Sequence, residues 1–483
     1  MHGKAYKLSL LALALVLLVT AGFQQQRLNR QRSALGLTRV APLENAPPVL
    51  AFTTVALGGF RGIIANLLWI RANDMQQEDR YFEQVQLADW ITKLEPTFVQ
   101  VWLVQAWNMA YNISVKFRDP YDRWRWVQSG IELLRDQGIR YNPKEALLYR
   151  ELAWFYQHKI GQNLDDAHLI YKYEVANEMT RALGGPKPNY DELSNPQTPE
   201  ARARATYLRE KLRMDPAMMK RADELYGPLE WRLPEATAIY WAMVGLENSN
   251  DKELTTLRRV IFQCLHMIVM RGRILAQAAD GTYAYGPDLS KISLAHDGYT
   301  RMLAEEKEKP IVVERAHKNF LREAVYLLYT HNQLTAAEQW MKVLREKYPD
   351  AMPPQVTVEQ YALTRMTESL TDLNHNRTKA VIEGILSQHF ENLAIDNDDR
   401  ADGLLLMARR IWQFYTSSIT QRPQALKLDP IEQMYTRIRD RIINPATGVR
   451  PEYAARIRTK LNLPAPAAPP TNAPPAVAPK PAK

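Results

Sequence analysis

The chain has 483 residues, which is enough for two or three domains or for one extended array of stacked units. With 46% hydrophobic and 24% charged residues it is expected to fold around a core. The formal charge of +9 comes from 62 basic residues scattered among 53 acidic ones, which argues against a nucleic-acid-binding protein. The one cysteine, Cys264, excludes an internal disulfide and a cysteine-ligated zinc or iron–sulfur site.

Residues 1–32 carry the clearest targeting signal. Lys4 and Lys7 precede an uncharged, mostly apolar stretch at 8–23, and a polar, basic segment follows it. This pattern is typical of a signal segment or of a single transmembrane anchor. We therefore expect a membrane-anchored protein whose body lies on the periplasmic side, joined to the anchor by a linker at 33–48.

Helical periodicity dominates the body. The first packed helix is predicted at 49–72. In LADWITKLEPTFVQVWLVQAWNMAYN, residues 87–112, two amphipathic runs flank Pro96, which predicts two antiparallel helices joined by a turn. Asn142-Pro143 ends another helical run and opens ALLYRELAWFYQHKIG in the same way. Such pairs cannot bury their outer faces alone, so they predict a repeating architecture.

The aromatic and alanine spacing of these runs carries a family resemblance. Tyr149, Leu152, Ala153 and Tyr156 fit the first helix of a tetratricopeptide repeat, and Ala167 and Tyr171 fit the second. Trp102, Ala106 and Met109 fit the same template, and so does a later set: Phe320, Ala324, Leu327, Ala336, Trp340 and Pro349. The chain thus resembles tetratricopeptide-repeat proteins over three stretches.

Three further stretches, at 56–72, 140–159 and 226–242, resemble a group of membrane-anchored bacterial proteins with degenerate tetratricopeptide repeats. The resemblance implies an all-α, tetratricopeptide-like solenoid with an N-terminal membrane helix, and it implies no reaction. The expected domains are helical repeats at 49–184, a polar insertion or helical subdomain at 185–232, further helical repeats at 233–462 and a disordered Pro/Ala-rich tail at 463–483.

Signatures of common catalytic chemistry are missing from the sequence. It contains no GxxxxGK[ST], HExxH, GxSxG or CxxCH motif, so we expect no enzyme, no cofactor and no metal. Cys264 and His266 are predicted to be buried structural residues of one apolar helix. The acidic run at 396–399 lacks the later residues of a calcium loop and is predicted to cap a helix that begins at Leu404.

The function predicted from these features is a non-enzymatic scaffold that binds a protein or peptide partner in an envelope assembly. In tetratricopeptide arrays the first helix of each pair lines the groove, which selects Gln105, Asn108, Asn112, Arg150 and Trp154 by position. The alternative is an envelope enzyme or binding protein acting on glycans. It rests on eleven tryptophans, which suit sugar stacking, and on Glu151 and Glu174 as candidate acids.

Overall fold

The structure is a computed structural model of the chain, and it is almost entirely helical. It describes residues 61–78, 80–249, 254–277, 283–305, 310–367, 375–419, 427–444 and 449–464, together with most positions between 13 and 31. The all-α fold class predicted from the sequence is confirmed for these residues.

The α-helices of five residues or more alternate with turns and with short π-helical and 3₁₀-helical segments along the described chain. Those up to residue 226 are α1 (Arg61–Gln77), α2 (Tyr81–Leu94), α3 (Val99–Trp107), α4 (Pro120–Glu132), α5 (Ala146–Trp154), α6 (His168–Leu183), α7 (Tyr190–Ser194), α8 (Pro199–Thr206) and α9 (Pro216–Tyr226). Those that follow are α10 (Pro234–Asn248), α11 (Leu254–Arg271), α12 (Ile292–Glu305), α13 (Pro310–Thr330), α14 (Leu334–Lys347), α15 (Val358–Thr367), α16 (His375–Ala394), α17 (Asp398–Ile419), α18 (Ile431–Ile442) and α19 (Pro451–Lys460).

Two strands interrupt the helices. Strand β1 (Arg273–Gln277) pairs antiparallel with β2 (Tyr283–Gly286), and Arg273 lies opposite Gly286.

Proline and capping side chains explain many helix starts. Pro120, Pro199 and Pro216 each stand at the first helical position, where the missing N–H is no loss, directly after an Asp or Thr cap.

The described residues form two compact units. The first contains Met1–Tyr171, Arg209–Arg213 and Trp241–Leu257, and the second contains Lys172–Leu208, Met214–Tyr240 and Arg258–Lys483. Three helices, α7 to α9, occupy the segment 185–232 that the sequence marked as an insertion or helical subdomain. Cys264 is fully buried, as its apolar surroundings predicted.

A helix pair occurs twice in the first unit with the same offset. Tyr111 and His158, which share a hydrogen bond, are 47 residues apart, and the same offset relates Pro96 to Pro143 and Trp102 to Tyr149. The Trp102 indole donates to the Pro96 carbonyl at 2.9 Å, and the Tyr149 hydroxyl donates to the Pro143 carbonyl at 2.9 Å. The two turns are therefore closed by equivalent bonds.

Each unit has its own apolar core. In the first, Ala65, Ala88, Ile91 and Val101 bring together α1, α2 and α3. In the second, one large cluster joins α16 and α17 to α18 and α19, with Phe390, Ile411 and Ile438 in its interior. The helix pair predicted at 320–349 is present as α13 and α14, which pack against each other with Phe320 and Ala324 fully buried.

Several terminal predictions fall partly outside the described residues. These are part of the apolar segment 8–23, the linker 33–48, the start of the predicted first helix at 49–60, and residues 465–483 of the tail. Among the described residues, no helix combines the length and the apolarity that a membrane span requires.

Candidate partner-binding site

A surface of the first unit combines one exposed and three half-buried aromatic rings with a cation. We call it the aromatic face and define it as Trp107, Tyr111, Arg150, Trp154 and His158. Helices α3 and α5 contribute Trp107, Arg150 and Trp154. Tyr111 and His158 lie in π-helical turns that continue these two helices, at Asn108–Ile113 and Phe155–Ile160. Isolated π-helical turns often mark functional positions in helical proteins.

The rings form a continuous series of contacts. Trp107 stacks on Tyr111 with ring centroids 4.0 Å apart, and the Tyr111 hydroxyl shares a hydrogen bond of 3.0 Å with Nδ1 of His158. His158 stacks on Trp154 at 4.4 Å, and the Arg150 guanidinium lies 5.0 Å from the centre of the Trp154 ring. Trp107 remains 39% exposed, so it offers a large apolar surface to solvent.

Helical geometry explains why these rings meet. Trp107 and Tyr111 are four residues apart, and so are Trp154 and His158, which places each pair on one side of its helix. Both pairs occupy equivalent positions of the repeated unit, since Tyr111 and His158 are 47 residues apart. Equivalent side chains of successive helix pairs therefore contact each other, which builds one surface from two repeats.

The aromatic face is electrically neutral apart from Arg150. Burial raises the pKa of Tyr111 above its usual range, and the nearby Glu151 carboxylate adds to this effect. Burial and the neighbouring Lys159 ammonium lower the pKa of His158. Both rings are therefore uncharged at physiological pH, which suits contact with an apolar or aromatic partner group.

A buried cluster of charges supports the aromatic face from inside. The Lys159 ammonium lies 5.0 Å from the centre of the Tyr111 ring and 2.7 Å from Oδ2 of Asp165. Arg123 reaches Oδ1 of the same carboxylate at 3.1 Å, and the Tyr171 hydroxyl donates to Oδ2 at 3.2 Å. Asp165 thus ties three helical segments together beneath the rings.

The pKa values of Lys159 and Asp165, which form the buried ion pair, both differ from their ordinary values. Burial by itself raises the pKa of Asp165, but Lys159, the Ala167 N–H and Arg123 outweigh it, and the pKa lies below its ordinary value. For Lys159 burial prevails over the attraction of Asp165, and its pKa is lowered. The difference follows from partner number, because the carboxylate receives several donors while the ammonium has one carboxylate and faces the Arg123 cation.

The five residues that the sequence selected for a partner groove do not share one surface in the structure. Arg150 and Trp154 belong to the aromatic face. Asn112 is half-buried and donates to Asn108 at 2.6 Å. Gln105 and Asn108 are 3% and 1% exposed, so they lie inside the core and present no accessible surface.

The burial of Gln105 follows from its packing against another helix. Gln105 faces α2, where its amide donates to the Val85 carbonyl at 3.3 Å. Selection by helix position alone could not distinguish this inner side from the outer one. Trp107, Tyr111 and His158 were missed, although their four-residue spacing and the 47-residue offset of Tyr111 from His158 were visible in the sequence.

Comparison of the chain with protein families, with curated proteins and with solved structures finds no match.

Proposed function

We propose that this protein is a non-enzymatic scaffold of the bacterial cell envelope, whose aromatic face binds a protein or peptide partner. The observation that carries the proposal is the composition of that face. Tryptophan, tyrosine and arginine are the residues that contribute most to binding at protein interfaces. Trp107 offers exposed ring area, while stacking holds Tyr111 and Trp154 in place, which lowers the entropy lost on binding.

The scaffold is proposed to be a helical-repeat solenoid of tetratricopeptide-like units. The two equivalent Pro-closed turns and the bond between Tyr111 and His158 support this architecture, because stacked repeats bring equivalent positions into contact. The repeat of 47 residues between these positions exceeds the 34 of a standard tetratricopeptide unit.

The tether is proposed to be the N-terminal apolar segment, with the body on the periplasmic side. Where it is described, this segment is helical and its apolar side chains are exposed; they include Leu13, Val16, Leu17, Val19 and Phe23. Apolar side chains on all sides of a helix favour a lipid environment over water. We expect the full chain to resist alkaline extraction from membranes and a chain lacking residues 1–32 to be released. Equal extraction of both would contradict the tether.

Replacing Trp107 by alanine tests the partner site. Removal of this exposed ring is expected to weaken partner binding about thirtyfold, the size of a hot-spot loss of about 2 kcal/mol. The measurement is crosslinking in living cells followed by purification on a C-terminal tag and quantification of the co-purified protein. Arg150 and Trp154 lie at the end of the aromatic face opposite Trp107. The double variant Arg150→Ala with Trp154→Ala should therefore weaken partner binding to a similar extent.

Trp90→Ala is the matched control for this experiment. Trp90 lies on α2 of the same unit, is 53% exposed and is not part of the aromatic face. It should leave partner recovery unchanged. Retention of the partner by Trp107→Ala, or equal loss in Trp107→Ala and Trp90→Ala, would contradict the proposed site.

A second candidate function, action on glycans, is favoured by Glu151. Burial raises the pKa of this carboxyl group, and a carboxyl group with a raised pKa beside aromatic rings is one half of a glycosidase site. The charged neighbour of Glu151 is Arg150, at 2.8 Å, rather than a second carboxylate. Glu174 belongs to the second unit. Absence of a protein partner, together with Trp107-dependent retention of the chain on purified peptidoglycan, would favour this function over the scaffold.

A further inference from the structure

The second unit contains a cavity of about 630 Å³. This volume is within the usual range of small-ligand sites, roughly 300–1,000 Å³. Six chain segments meet around it: residues 186–187, 228–230, 272–274, 287–290, 331–333 and 397–399. The segments are the turn between α13 and α14, the start of α17, both ends of the β-hairpin and two loops, so the cavity is built from distant parts of the sequence.

His331 is one of the residues that line this cavity, and its ring has an unused hydrogen-bond acceptor. The residue is 6% exposed, and its Nδ1 lies 2.8 Å from the Leu327 carbonyl oxygen. Because a carbonyl only accepts, Nδ1 carries the hydrogen. Burial lowers the pKa of His331 to about 4, so the ring is neutral at physiological pH and Nε2 is an acceptor. Nε2 is buried without a hydrogen-bond partner in the described chain, an arrangement that costs free energy unless a donor is supplied.

Charged side chains of both signs lie beside this histidine. Arg273 and Asp399 line the cavity and are close enough to affect the pKa of His331. Neither side chain forms a hydrogen bond or ion pair with another residue of the described chain, and the same holds for Lys187, a further cation of the lining. These groups are therefore available to a ligand.

The remaining acidic groups of the lining are engaged within the fold. Glu230 binds the Arg232 guanidinium at 2.6 Å. Asp288 accepts from the Ser290 hydroxyl at 2.6 Å and from its backbone N–H at 3.2 Å, which starts a short 3₁₀ turn. The groups of the lining that remain for a ligand are two cations, one carboxylate and one neutral acceptor. They belong to Arg273, Lys187, Asp399 and His331.

We propose that this cavity binds an amino acid or a short peptide, with its carboxylate on Arg273, its ammonium group on Asp399 and one N–H donated to Nε2 of His331. A guanidinium presents two parallel donors to a carboxylate, and charge-assisted bonds of this kind are the strong ones. A zwitterion is the ligand class that uses an unpaired cation, an unpaired anion and an unpaired acceptor together. The site is separate from the partner-binding function proposed for the first unit and does not depend on it.

Isothermal titration calorimetry of the full chain tests the proposal. The ligands are the common L-amino acids, one at a time, and L-alanyl-L-alanine. At least one is expected to bind, and its N-acetyl and carboxamide derivatives, which each lack one charge, should bind at least tenfold more weakly. Absence of binding by every zwitterion would overturn the proposal and leave the cavity as a solvent site.

Three variants locate the binding. Arg273→Gln and Asp399→Asn each remove one charge, and His331→Asn keeps a donor for the Leu327 carbonyl but removes Nε2. Each should weaken binding of the zwitterion at least tenfold. Arg315→Gln is the matched control, because Arg315 is an exposed arginine of the same unit that does not line the cavity. Equal affinity in Arg273→Gln and Arg315→Gln, or native affinity in His331→Asn, would overturn the assignment.

Discussion

Replacing Asp165 by asparagine is expected to destabilise the first unit by about 3–5 kcal/mol, the usual cost of removing one partner from a buried ion pair. The Lys159 and Asp165 side chains are 4% and 6% exposed, so the variant leaves the Lys159 and Arg123 cations without their carboxylate. The loss should appear as faster hydrogen exchange in peptides from α5 and its π-helical turn, measured by mass spectrometry. It should also weaken partner binding, since Lys159 supports Tyr111.

Asp166→Asn is the control for this variant. Asp166 is the adjacent residue and is exposed, so its replacement should change stability by less than about 0.5 kcal/mol. Equal effects of the two substitutions would contradict a structural role of the buried cluster.

The pH dependence of the Asp165 effect has a defined sign. Because the folded pKa of Asp165 is lowered, its contribution is fully present above the unfolded value of about 3.9 and is lost as pH falls through the folded value. The difference in stability between the native chain and Asp165→Asn should therefore shrink in strong acid. A difference that grew on acidification would show that another group carries the effect.

Replacing Gly403 by alanine is expected to destabilise the second unit by about 3 kcal/mol, at the upper end of overpacking costs. A Cβ at this position of α17 would overlap the carbonyl oxygen of Thr330 and stand 2.5 Å from its carbonyl carbon and 3.1 Å from the His331 nitrogen. These are backbone atoms, so rotation of a side chain cannot relieve the contact. Calorimetry should show a lower melting temperature for the transition that contains α13 and α17.

Gly384→Ala provides the opposite result as a control. Gly384 is an exposed position within α16, and nothing lies within 4 Å of a Cβ built there. Alanine should stabilise this helix by about 0.5–1 kcal/mol, because it loses less conformational freedom than glycine on folding. Stabilisation by both substitutions would show that α13 and α17 do not approach closely at Gly403. Gly403→Ala should also impair the proposed zwitterion site, since it displaces the backbone that holds His331.

The helices themselves could be predicted from the sequence because their signals are local. Pro96 and Pro143 end and restart helices in the structure as their positions indicated, through the equivalent turns closed by Trp102 and Tyr149. Periodic apolar residues placed Phe320 and Ala324 in the core of the pair formed by α13 and α14. Cys264 was placed correctly inside an apolar helix for the same reason.

The start of α17 marks the limit of such local rules. The acidic run at 396–399 was expected to cap a helix that begins at Leu404. The helix instead begins at Asp398, and the Asn397 carbonyl accepts from the Ala401 N–H at 3.0 Å. The start of the helix was therefore predicted too late in the chain, because each of the four consecutive polar residues at 396–399 satisfies the same capping preference.

The candidate sites depended on contacts that no local pattern contains. Gln105 and Trp107 are two residues apart on one helix, yet α2 covers the first and leaves the second exposed. The cavity of the second unit brings residue 187 together with residues 273, 331 and 399. By itself, the sequence determined an all-α chain with Pro-closed helix pairs, because periodicity and turn residues act over a few positions. Only the tertiary structure decided which polar and aromatic groups face solvent, because burial depends on which distant helix packs against each side.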